Sequence, residues 1–264
     1  MPELPDVETF RRYINSHALH QRVQSVQVTD KAILAGATAW LLQTRLEGRK
    51  FKSTRRHGKN LFVEISGASE WLRFHFGMTG WPAYVKDGGE LPRYSRVIFH
   101  FNNRRRLAYV DPRKFGSVGL VKSIPDYVRS KNLGPDALKI SASDFQKRLK
   151  TKRGHIKSVL MDQQVIAGIG NVYADELLFR SQAHPKIRVE SLGQTDLSTI
   201  YKSMQSVLKK AVACKADVGS FSRMWLLPHR RRGKKCPRCG TIWQFIKVGG
   251  RTTCLCPRCQ NTKP

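Results

Sequence analysis

The chain has 264 residues, with 48 Lys and Arg against 19 Asp and Glu, a formal net charge of +29 at pH 7. A chain of this length needs no disulfide staples for its core, and 40% hydrophobic with 9% aromatic residues is not the composition of a disordered polycation. No window reaches about 18 uninterrupted apolar residues and the N-terminus lacks a signal-peptide layout, which argues against membrane insertion and secretion, while a charge excess of this size calls for a polyanionic partner.

The first element predicted is a short amphipathic helix. Pro5-Asp6-Val7-Glu8-Thr9-Phe10-Arg11-Arg12-Tyr13-Ile14 sets apolar residues at 7, 10 and 14, with Pro in the first turn and acids beside the positive helix end. From Arg22 to about Lys122 the pattern is of short β-rich runs: Arg22 to Val28, Asn60 to Ile65, Trp71 to Phe76, Arg96 to Phe101, Leu107 to Val110 and Ser117 to Val121. Val97, Phe99 and Phe101 alternate with other residue types, as a strand with one buried face requires. So many short strands imply a sandwich or barrel. After Ile124 the period becomes helical, over Ser143 to Lys150, Ile156 to Met161, Val172 to Ser181 and Leu197 to Cys214. The last run holds Ile200, Met204, Val207, Leu208 and Ala211 at helical spacing. A boundary is therefore expected between residues 123 and 140. The segment Lys234 to Gln260 is Cys-rich and too small to fold on an apolar core.

Cys236-Pro-Arg-Cys239 and Cys256-Pro-Arg-Cys259 have the paired spacing of a tetrahedral zinc site. Two disulfides are the alternative, disfavoured in a reducing compartment. Four thiolate ligands would make one closed, structural zinc site. Between them Thr241 to Lys247, Gly249-Gly250 and Arg251 to Leu255 form a hairpin candidate with a tight primed turn. Cys214 and Cys254 are assigned to packing. The run Arg230-Arg231-Arg232-Gly233-Lys234-Lys235 suits phosphates, although a charge run is commonly a solvated face.

Structural zinc leaves the chemistry to other residues. Removal of Met1 would expose the secondary amine of Pro2; an α-amine has a pKa near 7.7 to 8.0, so part of it is neutral at physiological pH. Such an amine attacks an aldehyde-type carbon to give an iminium ion, and Glu3 beside it suits general acid and base work. Taken alone, Pro at position 2 is unremarkable. Its weight comes from what accompanies it.

Met1-Pro-Glu-Leu-Pro-Asp-Val-Glu-Thr9, His75-Phe-Gly-Met-Thr-Gly80, Asp111-Pro-Arg-Lys-Phe-Gly116, Gly168-Ile-Gly-Asn-Val-Tyr-Ala-Asp-Glu176 and the terminal cysteine hairpin resemble, in order and over residues 2 to 260, the formamidopyrimidine-DNA glycosylase / endonuclease VIII family. The resemblance implies an α+β multidomain fold: an N-terminal helix and antiparallel β-sandwich over residues 1–125, a helical helix-two-turn-helix domain over 126–225 and a zinc-finger β-hairpin over 226–264. It implies a bifunctional DNA glycosylase and abasic-site lyase for oxidised bases. Pro2 would attack the sugar C1′ and form a Schiff base resolved by β and δ elimination, with Glu3 shuttling protons. Met78, Arg113 and Phe115 would fill the space vacated by the extruded nucleotide. Lys59, Asn171 and Arg251 would grip phosphates around it, with Asn171 also capping the helix that follows. Lys114 stands where many relatives carry arginine and would meet a phosphate as a point charge; Asp6 stands where the family usually carries glutamate.

The resemblance further implies damaged double-stranded DNA as the partner, a monomer, no membrane, and a cytoplasmic or nucleoid location in a bacterium or a nuclear one in a eukaryote. Only 15 residues separate Ser220 from Cys236, whereas relatives that cap 8-oxoguanine tend to carry a longer loop. That places the sequence nearer the endonuclease VIII-like side, with oxidised pyrimidines, hydantoins and ring-opened purines expected ahead of 8-oxoguanine. The competing readings are an 8-oxoguanine-preferring member, a non-catalytic damaged-DNA-binding protein with a zinc finger, and a zinc-ribbon RNA-binding protein. None but the enzymes gives Pro2-Glu3 a purpose.

Overall fold

A computed structural model describes residues 1–261, and the alternation read in the N-terminal strands builds two antiparallel sheets there. The first unit comprises residues 1–2 and 6–132. It holds most of α1 (Leu4–Ala18), then β1 (Val23–Val28), α2 (Ala39–Leu46), β2 (Phe51–His57), β3 (Asn60–Ile65), β4 (Trp71–His75), β5 (Trp81–Val85), β6 (Ser95–Phe101), β7 (Arg106–Val110), β8 (Ser117–Val121) and α3 (Ile124–Ser130). The sheets run β1-β6-β7-β5 and β2-β3-β4-β8. Their inward faces, including Leu61, Val63, Phe74, Val97, Phe99, Leu107, Tyr109 and Val118, share one core with Val7, Ile14 and Ala18 of α1. That is the expected sandwich. Two strands carry weaker sequence signals, and both lie at sheet edges. β2 reads Phe-Lys-Ser-Thr-Arg-Arg-His, with a single large apolar residue. β5 contains Pro82, which cannot donate to a ladder and is tolerated at an edge.

The second unit comprises residues 3–5 and those from Leu133 onward. Its helices are α4 (Ala142–Lys150), α5 (Ile156–Met161), α6 (Asn171–Arg180) and α7 (Gln194–Ala213), followed by β9 (Gln244–Val248) and β10 (Arg251–Leu255). Ser141 caps α4, its hydroxyl accepting the Asp144 amide at 3.1 Å. α6 is the central helix, buried from Tyr173 through Phe179. The apolar stripe of α7 packs into the same core as Leu4, Leu177 and Phe179. Gly249 and Gly250 both have positive φ, as a primed two-residue turn demands, and bring Val248 opposite Arg251. Trp243, Cys254 and Cys256 enter the helical core. The segment 226–261 therefore shares a core with the helices before it.

Candidate active site

One end of the sandwich gathers five of the residues singled out in the sequence. The turn Gly58-Lys59 joins β2 to β3, and the ladder then sets Asn60 opposite His75 and His75 opposite Ser117. Loops 76–80 and 111–116 leave from this end, so Lys59, Met78, Arg113, Lys114 and Phe115 share it. The two loops interlock. Gly77 has a φ of 56°, and a Cβ there would lie 2.3 Å from the Phe115 carbonyl carbon, so only glycine lets the chains pass. Buried Asp111 ties them: Oδ1 accepts from the Thr79 hydroxyl at 2.9 Å and the Arg113 amide at 3.2 Å, and Oδ2 from the Gly116 amide at 2.8 Å.

Held this way, Met78 and Phe115 leave 37% and 55% of their surfaces exposed, and the Arg113 guanidinium lies 4.7 Å from the Phe115 ring centroid. Lys114 sets its ammonium 3.0 Å from Asp30, so its charge has a partner within the protein. Burial pulls His75 down to about 4, and the Arg73 and Lys59 charges act in the same direction. The neutral ring accepts the Gly77 amide at 3.2 Å. The turn into Met78 thus rests on an unprotonated imidazole.

The second unit builds its cluster where α6 begins. A helix start leaves N–H groups without intrahelical partners, and buried Glu3 takes them. Its Oε2 accepts from Gly170 at 2.8 Å and Tyr173 at 3.2 Å, and its Oε1 from Val172 at 2.8 Å. A Cβ on Gly170 would stand 2.3 Å from the Glu3 carboxyl carbon, so this position has room for glycine only. The cap expected of Asn171 is corrected here. Gly170 is the N-cap and Asn171 the first helical residue, because Glu3 supplies the acceptors. The Asn171 side chain is released for other work: Oδ1 accepts from Lys157 at 2.7 Å and Nδ2 donates to the Thr252 carbonyl at 3.1 Å. Arg251 precedes that carbonyl by one residue, exposed and with no side-chain partner among the described residues. Glu3, Asn171 and the start of β10 are thus brought together, while Pro2 is half-buried in the chain just before Glu3.

Beneath them lies a network that sequence reasoning missed. Lys157 and Asp175, both fully buried, pair at 2.6 Å. The three ammonium protons of Lys157 have three acceptors, Asn171 Oδ1, Asp175 Oδ1 and Thr253 Oγ1 at 2.7 Å. Asp175 Oδ2 accepts from Arg230 at 2.9 and 2.7 Å and from the Cys254 amide at 3.1 Å. A buried ion pair offsets its desolvation only when its protons and lone pairs are satisfied in this way. Arg230, first of the run assigned to phosphates, is therefore corrected to a partner of Asp175. The available signal was Lys157 itself, a lone charge inside the apolar run from Ile156 to Met161.

Cys236, Cys239, Cys256 and Cys259 bring their Sγ atoms within 4.8 Å of one another, and no disulfide joins them. Four sulfurs about 2.3 Å from a tetrahedral ion stand about 3.8 Å apart. The cluster fits one structural zinc ion, with no position left for water. Cys254 lies outside it; burial pushes its thiol up to about 12. Cys214 packs against the helical core.

Sequence models of the formamidopyrimidine-DNA glycosylase N-terminal domain, the formamidopyrimidine-DNA glycosylase H2TH domain and a zinc finger found in FPG and IleRS match residues 1–118, 133–222 and 233–262. The chain is 32% identical over 279 residues to formamidopyrimidine-DNA glycosylase of Desulforamulus reducens, covering 100% of both chains. It is 33% identical to that of Arabidopsis thaliana, covering 98% of this chain and 71% of the relative. Lactococcus lactis Fpg, solved in complex with DNA containing an abasic site, superposes with a TM-score of 0.89 at 28% identity, over 99% of this chain and 100% of that one. MutM solved with DNA containing carbocyclic 8-oxo-G gives a TM-score of 0.89 at 29% identity over the same shares.

Proposed function

Because the chain belongs to the formamidopyrimidine-DNA glycosylase family, we propose that it is a base excision repair enzyme that removes oxidised bases from duplex DNA and cleaves the abasic strand. The observation that carries this reading is the Glu3 carboxylate on three amides at the start of α6, one residue from Pro2. Amides at a helix start favour negative charge, which keeps Glu3 in place as its proton comes and goes.

In the proposed sequence the Pro2 amine, free once Met1 is removed, attacks C1′ of the damaged nucleotide and passes its proton to Glu3 as the base leaves. Glu3 returns that proton to the ring oxygen as the sugar opens, leaving an iminium on Pro2. Loss of a 2′ proton then expels the 3′ phosphate, and a second elimination expels the 5′ phosphate. Reaching a base inside a duplex requires its extrusion, at a cost of a few kcal/mol. Met78 and Phe115 supply the exposed apolar surface to fill the gap, and Arg113 the planar donors for the orphaned base. Lys59, Asn171 and Arg251 contact phosphates of the lesion strand, the protein acting as a monomer.

Lesion choice is read from the segment 221–235. Trp225, Leu226 and Leu227 are buried in the helical core, which supports a short packed segment over a cap for 8-oxoguanine. Ring-opened purines and oxidised pyrimidines are accordingly placed ahead of 8-oxoguanine. Efficient excision of 8-oxoguanine opposite cytosine, at the rate of a thymine glycol substrate, would remove that preference.

The decisive experiment is borohydride trapping on abasic-site DNA, after mass spectrometry has verified loss of Met1. A covalent adduct is expected from the wild type and not from Pro2→Gly, while Glu3→Gln loses base removal more than strand cleavage. No adduct from the processed wild type overturns the lyase.

A further inference from the structure

The end of the sandwich opposite Met78 and Phe115 carries a second cationic surface. In the register of β7, Val110 lies toward loop 111–116 and Arg106 toward the turn 102–105. The four steps between them span about 13 Å at about 3.3 Å per residue, beyond the Debye length of about 8 Å at physiological salt. The turn is bound to its neighbours: the Asn102 amide donates to the Arg22 carbonyl at 3.0 Å, Asn103 Nδ2 to Gln21 Oε1 at 3.1 Å, and the Val23 amide to the Arg49 carbonyl at 2.9 Å. An isolated bridge joins Arg22 to Lys50. Arg22, Arg49, Lys50, Arg104, Arg105 and Arg106 therefore form one surface.

Five of these six cations have no ion pair among the described residues. The guanidinium groups of Arg22, Arg49 and Arg106 donate to the backbone carbonyls of Gly48, Gly67 and Gly89. Backbone carbonyls fix an arginine and leave its charge intact. Lys50 and Arg105 have no side-chain partner among the described residues. Nearby acids include Asp87, 3.7 Å from Arg104 with both side chains largely exposed, Glu47, which accepts from Gln43, and exposed Glu90, which follows the Gly89 carbonyl that holds Arg106. An exposed pair at that separation contributes little.

We propose that this surface binds the phosphodiester backbone of a second DNA duplex while the other end of the sandwich engages the lesion duplex. A closely spaced set of arginines and lysines without base-reading geometry suits sequence-independent phosphate contact, and a second contact lets the protein pass between DNA segments without releasing both. The proposal rests on the DNA reading above for the occupant of the first site only.

The test is a capture assay on the full-length, zinc-loaded protein. A short duplex with an uncleavable abasic analogue is immobilised and saturated with protein, and a labelled undamaged duplex is added across a salt series. The wild type captures the labelled duplex. Lys50→Gln/Arg104→Gln/Arg105→Gln weakens capture by about tenfold or more and lowers the log–log salt slope by about 2 to 3, with single-turnover cleavage of a short lesion duplex unchanged. Lys substitution at Arg104 and Arg105 retains capture, which separates charge from folding. No capture by the wild type, equal capture by the glutamine variant, or preference for anionic vesicles or single-stranded RNA overturns the proposal. The separate single-turnover assay on a lesion duplex, run with the same protein preparations, reports on the proposed enzyme independently: no cleavage with capture intact sinks that reading and leaves this one.

Discussion

The two regions that carry the candidate chemistry are built on different principles. The sandwich end is steric: glycine at 77 lets two loops interlock and one buried carboxylate fixes them through a hydroxyl and backbone amides. The start of α6 is electrostatic: Glu3, Lys157, Asp175 and Arg230 are functional neighbours and structural members together. In the first region chemistry sits on top of the fold, and in the second it is part of the fold. Substitutions should therefore separate activity from stability at one and confound them at the other.

The largest expected effect is on the electrostatic side. Lys157→Ala removes one partner of a fully buried pair and is expected to cost about 3 to 5 kcal/mol, measured by urea unfolding. A loss under about 1 kcal/mol would erase the contrast between the regions.

Next comes pH, where the two regions should move in opposite directions. Burial raises Glu176 from an ordinary 4.5 to about 7, with Arg180, Arg238 and the Leu226 and Leu227 amides only partly opposing it. Between those values the folded chain keeps a proton that the unfolded chain has released. Stability should fall by about 3 kcal/mol as pH rises through that window, and Glu176→Gln should flatten the slope. His75 is depressed from 6.5 to about 4. There the unfolded chain holds the extra proton, so stability should be lost by a comparable amount as pH falls from about 6.5 to 4. Hydrogen exchange at the Gly77 amide and along α6 reads the two trends separately; parallel trends would contradict the assignment.

The smallest effect on stability belongs to the proposed wedge. Phe115→Ala should leave unfolding within about 0.5 kcal/mol of wild type, yet slow excision from duplexes by about tenfold or more, since each 1.4 kcal/mol of uncompensated unstacking is a factor of ten. Equal excision by the variant would remove Phe115 from the DNA-contacting set.

Much of this molecule is legible in its residues because period and spacing are local properties. The alternation in β6, the helical spacing in α7 and the two C-P-R-C knuckles are each contained within one stretch of chain. The Lys157 network is not, since its members come from α5, α6, residue 230 and β10, and nothing at 157 specifies which carboxylate answers it. The same holds for the cap of α6. Asn171 has the right chemistry in the right place, but the acceptor that occupies the amides is 167 residues from Gly170 in sequence. Local propensity proposed a cap and tertiary structure supplied a better one. Arg230 was misread for the complementary reason, because a run of arginines hides the one with a buried partner.

The Asp111 carboxylate holds the two loops through the Thr79 hydroxyl and the backbone amides of Arg113 and Gly116. It therefore works as a socket, indifferent to the tool it holds. A library confined to positions 78, 113 and 115 should therefore yield folded proteins at high frequency, and on the proposed reading its members should differ in excision from duplexes rather than in stability. If these side chains fill the vacated space as proposed, the same indifference gives a lineage a route to new substrates through side chains whose replacement the fold hardly registers.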